Sequence, residues 1–355
     1  MRGKTSISNY AYSCARVRAR KAKMISPEDY LRMASMDLTS IARYMGESHY
    51  RQEISALTGK LSGVDLIEAA TYLNLASTYA QVMDFFKGED RVLLGYYLNE
   101  LDLLNLKTIV RGKFRNVDDD EIMMDLIPGG AFTGKYLVLW KSAADVPDLV
   151  SRLEGTKYYK DINRAMEENQ NMRTTARIED ALDKSHYSHV LESLDGQSAS
   201  TKLFKDFVRR EIDTRNVITL LRVKFAYDSE NVELEPEDVF IPNGKELDME
   251  TLASLYRINN QKQLLSTLQK FSFGEVISAN STSAMEKQSP RDIIRNLEAH
   301  HRRSTGRFAI RNPLSILPIV HYLMLKKNEV FNLRLIARGK EMGIPPEKIR
   351  ELVLT

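Results

Sequence analysis

The sequence holds a single cysteine, Cys14, so an internal disulfide is excluded and the chain suits a reducing compartment. No histidine stands near Cys14 in the sequence, which argues against a thiol nucleophile. Long apolar runs are also missing. The longest, Leu314 to Leu325, is broken by Pro318 and His321 and falls well short of the roughly 20 residues that span a bilayer, so membrane association would run through a partner or a surface. Hairpin and βαβ patterns are absent, β-branched runs are short, and no Ser-His-Asp or Cys-His arrangement can be proposed from spacing. Acid is missing from residues 1–24, which carry seven bases (Arg2, Lys4, Arg16, Arg18, Arg20, Lys21, Lys23) and leave the rest of the chain at net −4. Such an arm reads as a transit peptide, a nucleic-acid arm or, because Tyr10, Tyr12, Val17 and Ala22 are interleaved, a basic-faced first helix.

What is present is a repeat. Asn105, Leu106, Ile109, Arg111 and Lys113 recur as Asn216, Val217, Leu220, Arg222 and Lys224, and again as Asn332, Leu333, Ile336, Arg338 and Lys340, at steps of 111 and 116 residues. An acid precedes each asparagine by three: Asp102, Asp213, Glu329. Five matched positions at one spacing, three times over, identify three copies of one unit. Leu94, Leu98, Leu101, Thr108 and Gly112 surround Asn105 at steps of three and four, the helical stripe, so Asn105, Asn216 and Asn332 are expected in the core. A buried amide without a partner costs about 1 to 3 kcal/mol, which predicts a partner such as the backbone of a neighbouring loop. Arg111, Arg222 and Arg338 lie six residues on, about 120° round the helix, and are expected outside that stripe. They face a partner or bridge helices within each domain.

At 355 residues, with 43% hydrophobic and 28% charged residues, the chain reads as globular and too long for one core. Punctuation at Leu126-Ile127-Pro128-Gly129-Gly130 returns as Phe240-Ile241-Pro242-Asn243-Gly244 and, more weakly, as Ile344-Pro345. The expected domains are therefore 1–126 with the basic arm, 127–240 and 241–355, all-α, with six to eight helices per repeat. Helical segments are predicted at 65–86, 91–114, 145–168, 172–195, 199–226, 249–279, 290–304, 313–340 and 345–354, and Ser26 with Pro27 suits a helix start.

Three patterns resemble sites and carry bland readings. Gly129 to Lys135, GGAFTGK, fits the phosphate-loop spacing, yet Tyr136 replaces the Mg²⁺-binding hydroxyl and Pro128 stands where a strand should end. His186, His189, Asp183 and Glu192 share a helix face, with His300 and His301 elsewhere, but metal needs three or four convergent ligands. Asp118-Asp119-Asp120-Glu121 matches Mg²⁺-diphosphate clusters in type, but a single acidic run at a helix start is explained by the helix dipole. Trp140, the one tryptophan, is a core or interface anchor. No catalytic residue, cofactor or metal is expected.

Three stretches together resemble one family. They are Tyr10-Ala11-Tyr12 through Ala15 to Ala19, Asn105-Leu106-Lys107 to Lys113 followed by Ile127-Pro128-Gly129-Gly130, and a C-terminal set. That set comprises Asn312-Pro313-Leu314, Tyr322, Glu329, Leu333 to Leu335, Ala337-Arg338 and Gly343-Ile344-Pro345. The pattern, from Tyr10 to the C-terminus, is similar to the C subunits of the A/V-type (archaeal and bacterial) rotary ATP synthases, counterparts of the d subunit of the eukaryotic vacuolar ATPase. Cys14 departs from it where asparagine is common, and residues 1–9 have no clear equivalent. The resemblance implies a funnel of three helical domains about a pseudo-threefold axis, seated peripherally on the cytoplasmic face of the membrane. Its implied partners are the proteolipid rotor ring and the D and F subunits of the shaft, with no nucleic acid or small-molecule ligand and no catalysis of its own. A helical-repeat nucleic-acid binder is the competing class, motivated by the basic arm and the repeated Arg and Lys, but the aromatic platforms of a single-strand binder are not evident.

Overall fold

The computed structural model describes residues 4–127, 130, 134–168, 174–196, 198–225, 235–287 and 289–353, with side chains from Tyr10 onward. Among them the fold is all-α, with one isolated bridge between Thr58 and Leu61 and no strand. Helices α1 (Lys4–Lys21), α2 (Pro27–Met33), α3 (Leu38–Gly46), α4 (Arg51–Leu57) and α5 (Gly63–Met83) lead to α6 (Gly88–Phe114), which carries Asn105. Next come α7 (Asp119–Asp125), α8 (Gly134–Lys141), α9 (Val146–Ser151), α10 (Tyr159–Glu167) and α11 (Ala176–Glu192), leading to α12 (Ala199–Phe225) with Asn216. Then α13 (Pro236–Val239), α14 (Met249–Tyr256), α15 (Gln261–Leu268), α16 (Gly274–Glu286) and α17 (Arg291–Arg311) lead to α18 (Leu317–Glu341) with Asn332, and α19 (Pro346–Leu352) follows.

Local chemistry accounts for many of these boundaries. Ser26 caps α2, its hydroxyl accepting from the Asp29 amide at 3.1 Å, with Pro27 in the first turn. Asp37, Asp145 and Asp248 cap α3, α9 and α14 in the same way, each accepting from the amide three residues on at 2.7 to 2.9 Å. Two predicted segments divide. The 249–279 stretch becomes α14, α15 and α16, because Asn260 takes the N-cap position and accepts from the Gln263 amide at 3.0 Å. The 145–168 stretch becomes α9 and α10, parted by a turn in which Gly155 takes φ +80°.

The motif helices α6 and α18 end alike. Asn116 and Gly343 adopt positive φ, and the next amides, Val117 and Ile344, return to the carbonyls of Gly112 and Gly339 at 2.9 and 2.8 Å. The accepting residue is glycine in both, and a Cβ on Gly112 would clash with Ile122 at 2.5 Å, while one on Gly339 would press on Ile349 at 3.0 Å. The helix that follows each of these two packs directly on that bare backbone.

The chain divides into two compact units: Met1–Leu101 with Ile127–Ala131 and Gly306–Thr355, and Asp102–Leu126 with Phe132–Thr305. In the first unit, α5 and α18 pack along each other, each with more than half of its residues buried, as befits helices at the centre of a core. Leu333, Ile336 and Ala337 of α18 and Ile349 share a core with Ile25, Tyr30, Met33, Ile41, Tyr50 and Ile67. The two ends of the chain thus build one core. In the second unit, among the described residues, Leu103, Leu106, Ile109 and Val110 of α6 share a core with residues from Ile122 to Leu182, and Val217 to Phe225 of α12 share one with residues from Val239 to Leu297.

Candidate functional site

The basic arm forms α1, with Tyr10, Cys14 and Val17 buried and Tyr12 exposed. Each motif asparagine is buried: Asn105 and Asn216 are 1% exposed and Asn332 is fully enclosed. Asn216 closes a two-way bond with the backbone of the Ile-Pro loop, donating to the Ile241 carbonyl at 2.8 Å and accepting from its amide at 2.9 Å. Three residues earlier, Asp213 accepts from the amides of Lys245, Glu246 and Leu247 at 2.9 to 3.1 Å. Burial pushes the Asp213 carboxyl up to about 6 against the pull of these three donors. The pair pins the loop from Ile241 to Leu247 onto α12, with Phe240 and Leu247 in the same core as that helix.

The third copy uses the same two positions differently. Glu329 accepts from the Ile25 amide at 2.9 Å, from His49 Nε2 at 2.8 Å, from the Tyr50 hydroxyl at 2.7 Å and from Lys326 Nζ at 2.7 Å. Lys326 also donates to Tyr50 at 2.9 Å, and its ammonium lies 4.1 Å from the centre of the Tyr50 ring. Both charged side chains are essentially excluded from water. Burial alone would raise the Glu329 carboxyl, but Lys326 and the bond from His49 overcome it and hold it down at about 2. Burial lowers Lys326, opposed by Glu329. The neighbouring Asn332 hydrogen-bonds the Tyr30 side chain. The sequence motif contains the acid but not its partners, because His49 and Tyr50 lie about 280 residues away and no local spacing reveals them.

The three motif arginines part company. Arg111, with its side chain 53% exposed, grips Glu179 of α11 through Nε at 2.8 Å and through Nη2. One turn earlier, Lys107 pairs with Asp183 of α11 at 2.6 Å. Arg338 forks onto Glu68 of α5 at 2.5 and 3.0 Å, and Arg334 reaches the same carboxylate at 3.0 Å. Arg222 is exposed and forms no ion pair among the described residues.

The three look-alike sites resolve as follows. Of GGAFTGK, Gly129, Ala131, Phe132 and Thr133 lie outside the described residues, as does Pro128, while Lys135 is exposed in α8. Asp183 is engaged by Lys107, and burial with nearby Lys157 lowers His189. His300 contacts Ser304 and His301 lies against the Phe207 ring. No group of three His, Cys, Asp or Glu able to hold a metal occurs among the described residues. In the acidic run, Asp118 caps α7, Asp119 pairs with Lys113 at 2.5 Å and Asp120 with Lys141 at 3.0 Å. Trp140 is wholly buried.

No described helix is long and apolar enough to cross a membrane. The profile described as ATP synthase (C/AC39) subunit matches residues 13–352. The chain belongs to that family. Within it, the C subunit of the A-type ATP synthase of Haloferax volcanii is 34% identical over 352 residues, covering 99% of each chain. Those of Methanosarcina acetivorans and Archaeoglobus fulgidus are likewise 34% identical, over 349 and 352 residues, covering 98% and 97% of this chain and 93% and 96% of theirs. For this C/AC39 chain, the acid-and-asparagine sites therefore sit inside a member of an ATP synthase family.

Proposed function

We propose that the chain is a non-catalytic central-stalk subunit that joins the membrane rotor ring to the shaft, so that ion translocation is coupled to ATP synthesis or hydrolysis. The observation that carries this reading is the similarity, over nearly the whole of both chains, to the C subunits of A-type ATP synthases. Its partners in this reading are the proteolipid ring and the D and F subunits of the shaft, and its place is the cytoplasmic face of the membrane. Buried ion pairs and bidentate arginine clamps suit a part that must carry torque, since they hold helix against helix in a defined register.

Three similar helical domains with boundaries near 126 and 240 belong to the same proposal and are supported by the recurrence of the acid-and-asparagine motif on α6, α12 and α18; the cores around these helices each draw residues from both sides of a proposed boundary. Of the motif arginines, we assign partner contact to Arg222, while Arg111 and Arg338 serve as internal braces. Affinity purification of the tagged chain from a detergent extract tests the reading. Ring and shaft subunits should co-purify with it; their absence from a stable, folded preparation overturns it.

A further inference from the structure

Residues 1–27 and 306–328 contain no aspartate or glutamate. The first unit brings these two stretches together. Helix α1 packs on α18, Arg18 donates to the Pro313 carbonyl at 3.4 Å, and the Cys14 thiol contacts the Ser315 carbonyl at 3.7 Å. The surface so formed displays Arg16, Arg18, Lys21 and Lys23 on and just after α1 and Arg311 at the end of α17, all exposed. None of the five, nor Arg20, forms an ion pair among the described residues. Arg16 instead lies 4.8 Å from the Phe85 ring, and Arg20 bonds Gln81 at 2.5 Å. The nearby Asp90 is taken by the Tyr10 hydroxyl at 2.5 Å, and Asp84 by Arg91 at 3.6 Å. Elsewhere the contrast is plain: Arg111, Arg334 and Arg338 all hold carboxylates. Ile310, 79% exposed, and Leu314, 47% exposed, flank Arg311 and add apolar surface to the basic one.

We infer that this basic surface is a docking site for a carboxylate-rich protein surface on a neighbouring subunit. Clustered like charges repel one another, so they destabilise the free chain and gain most from an anionic partner. Arginine predominates, and its planar fork matches carboxylates two bonds at a time. Arginine beside exposed isoleucine, leucine and tyrosine is also the composition of a protein interface with a charged rim. A membrane surface fits less well. A helix that lies in the lipid interface needs a free apolar face, whereas Tyr10, Cys14 and Val17 of α1 are turned into the core.

The inference rests on the rotor reading for where the partner is found. The test uses the full tagged chain, recovered from detergent extract at about 0.1 M and 0.5 M salt, as wild type, Arg18→Glu/Arg311→Glu, Arg18→Lys/Arg311→Lys and Arg311→Glu alone. Both glutamate variants should melt within a few degrees of wild type, while the double variant loses at least about tenfold in recovered partner subunits at low salt. The lysine pair should keep most of the recovery, and wild-type recovery should fall as salt screens the charges. If wild type recovers ring and shaft and both glutamate variants do so equally, the docking site is overturned while the rotor reading stands. If wild type recovers neither, the rotor reading itself fails. Vesicles of neutral lipid with about 30% anionic lipid provide the remaining arm. Charge-dependent vesicle binding with unchanged recovery of partner subunits would make this a lipid surface and overturn the proposal.

Discussion

Asp213 and Glu329 occupy the same place in the repeated motif and both are buried, yet they are satisfied by opposite means. Asp213 takes three amides from one turn of a loop some 32 residues downstream. Glu329 takes a single amide, from Ile25 near the other end of the chain, and makes up the difference with Lys326, His49 and Tyr50. Backbone amides are fixed dipoles that satisfy an acid without burying a second charge. A side-chain set brings its own charge into the core and must be complete to be stable. The second solution pairs the acid with a cation one turn back on its own helix and completes it with donors from far along the chain.

The comparison is broken most severely by removing Lys326. Lys326→Ala leaves Glu329 buried without its cation and should cost about 3 to 5 kcal/mol in denaturant unfolding of the full chain. Lys326→Met with Glu329→Met should recover part of that loss, because it removes both buried charges but leaves the Ile25 amide, the Tyr50 hydroxyl and His49 without their acceptor. A double variant no more stable than the single one would mean that the network does more than neutralise a charge.

Acid titration separates the two sites by sign. Glu329 has a folded value near 2, below its ordinary 4.5, so its contribution is present above pH 4.5 and is lost as pH falls towards 2. Asp213, near 6 and above its ordinary 3.8, contributes in the opposite sense: its share is full below 3.8 and is lost as pH rises through 6. Unfolding of wild type and of Glu329→Gln, compared between about pH 5 and pH 2.5, should show the steeper acid loss in wild type. Parallel curves would contradict the assignment.

Asn216→Ala should cost about 2 kcal/mol, since it strips both backbone groups of Ile241 of their partner within a core. Amide exchange at Ile241 and at Lys245 to Leu247 should quicken with it. The smallest effects lie on the arginines. Arg338→Ala should destabilise by about 1 kcal/mol through its fork on Glu68, whereas Arg222→Ala should stay within about 0.5 kcal/mol. Equal losses at the two positions would show that Arg222 is braced as well.

Much of this is legible from residues close in sequence. The repeat, the burial expected of Asn216, the acid three residues before it and the Ser26-Pro27 helix start all follow from helical spacing and cap chemistry, which act over a few residues. Spacing alone leaves Arg111 and Arg338 open between partner and brace, because Glu179 and Glu68 lie 68 and 270 residues away. Short polar breaks such as Asn259-Asn260 escape a periodicity reading, since the apolar spacing runs on across the cap.

By itself the sequence determined an all-α chain, three copies of an acid-and-asparagine helix, and the Ser26-Pro27 helix start. These depend on backbone geometry, periodicity and side chains reaching amides three residues away. Only the tertiary structure decided which segment each motif helix packs against, that Ile25 and Val353 share one core, and that Glu329 meets Ile25, His49 and Tyr50 while Asp213 meets a loop. A buried acid takes its remaining donors wherever the chain brings them, and the distance along the sequence leaves no periodic trace of that meeting.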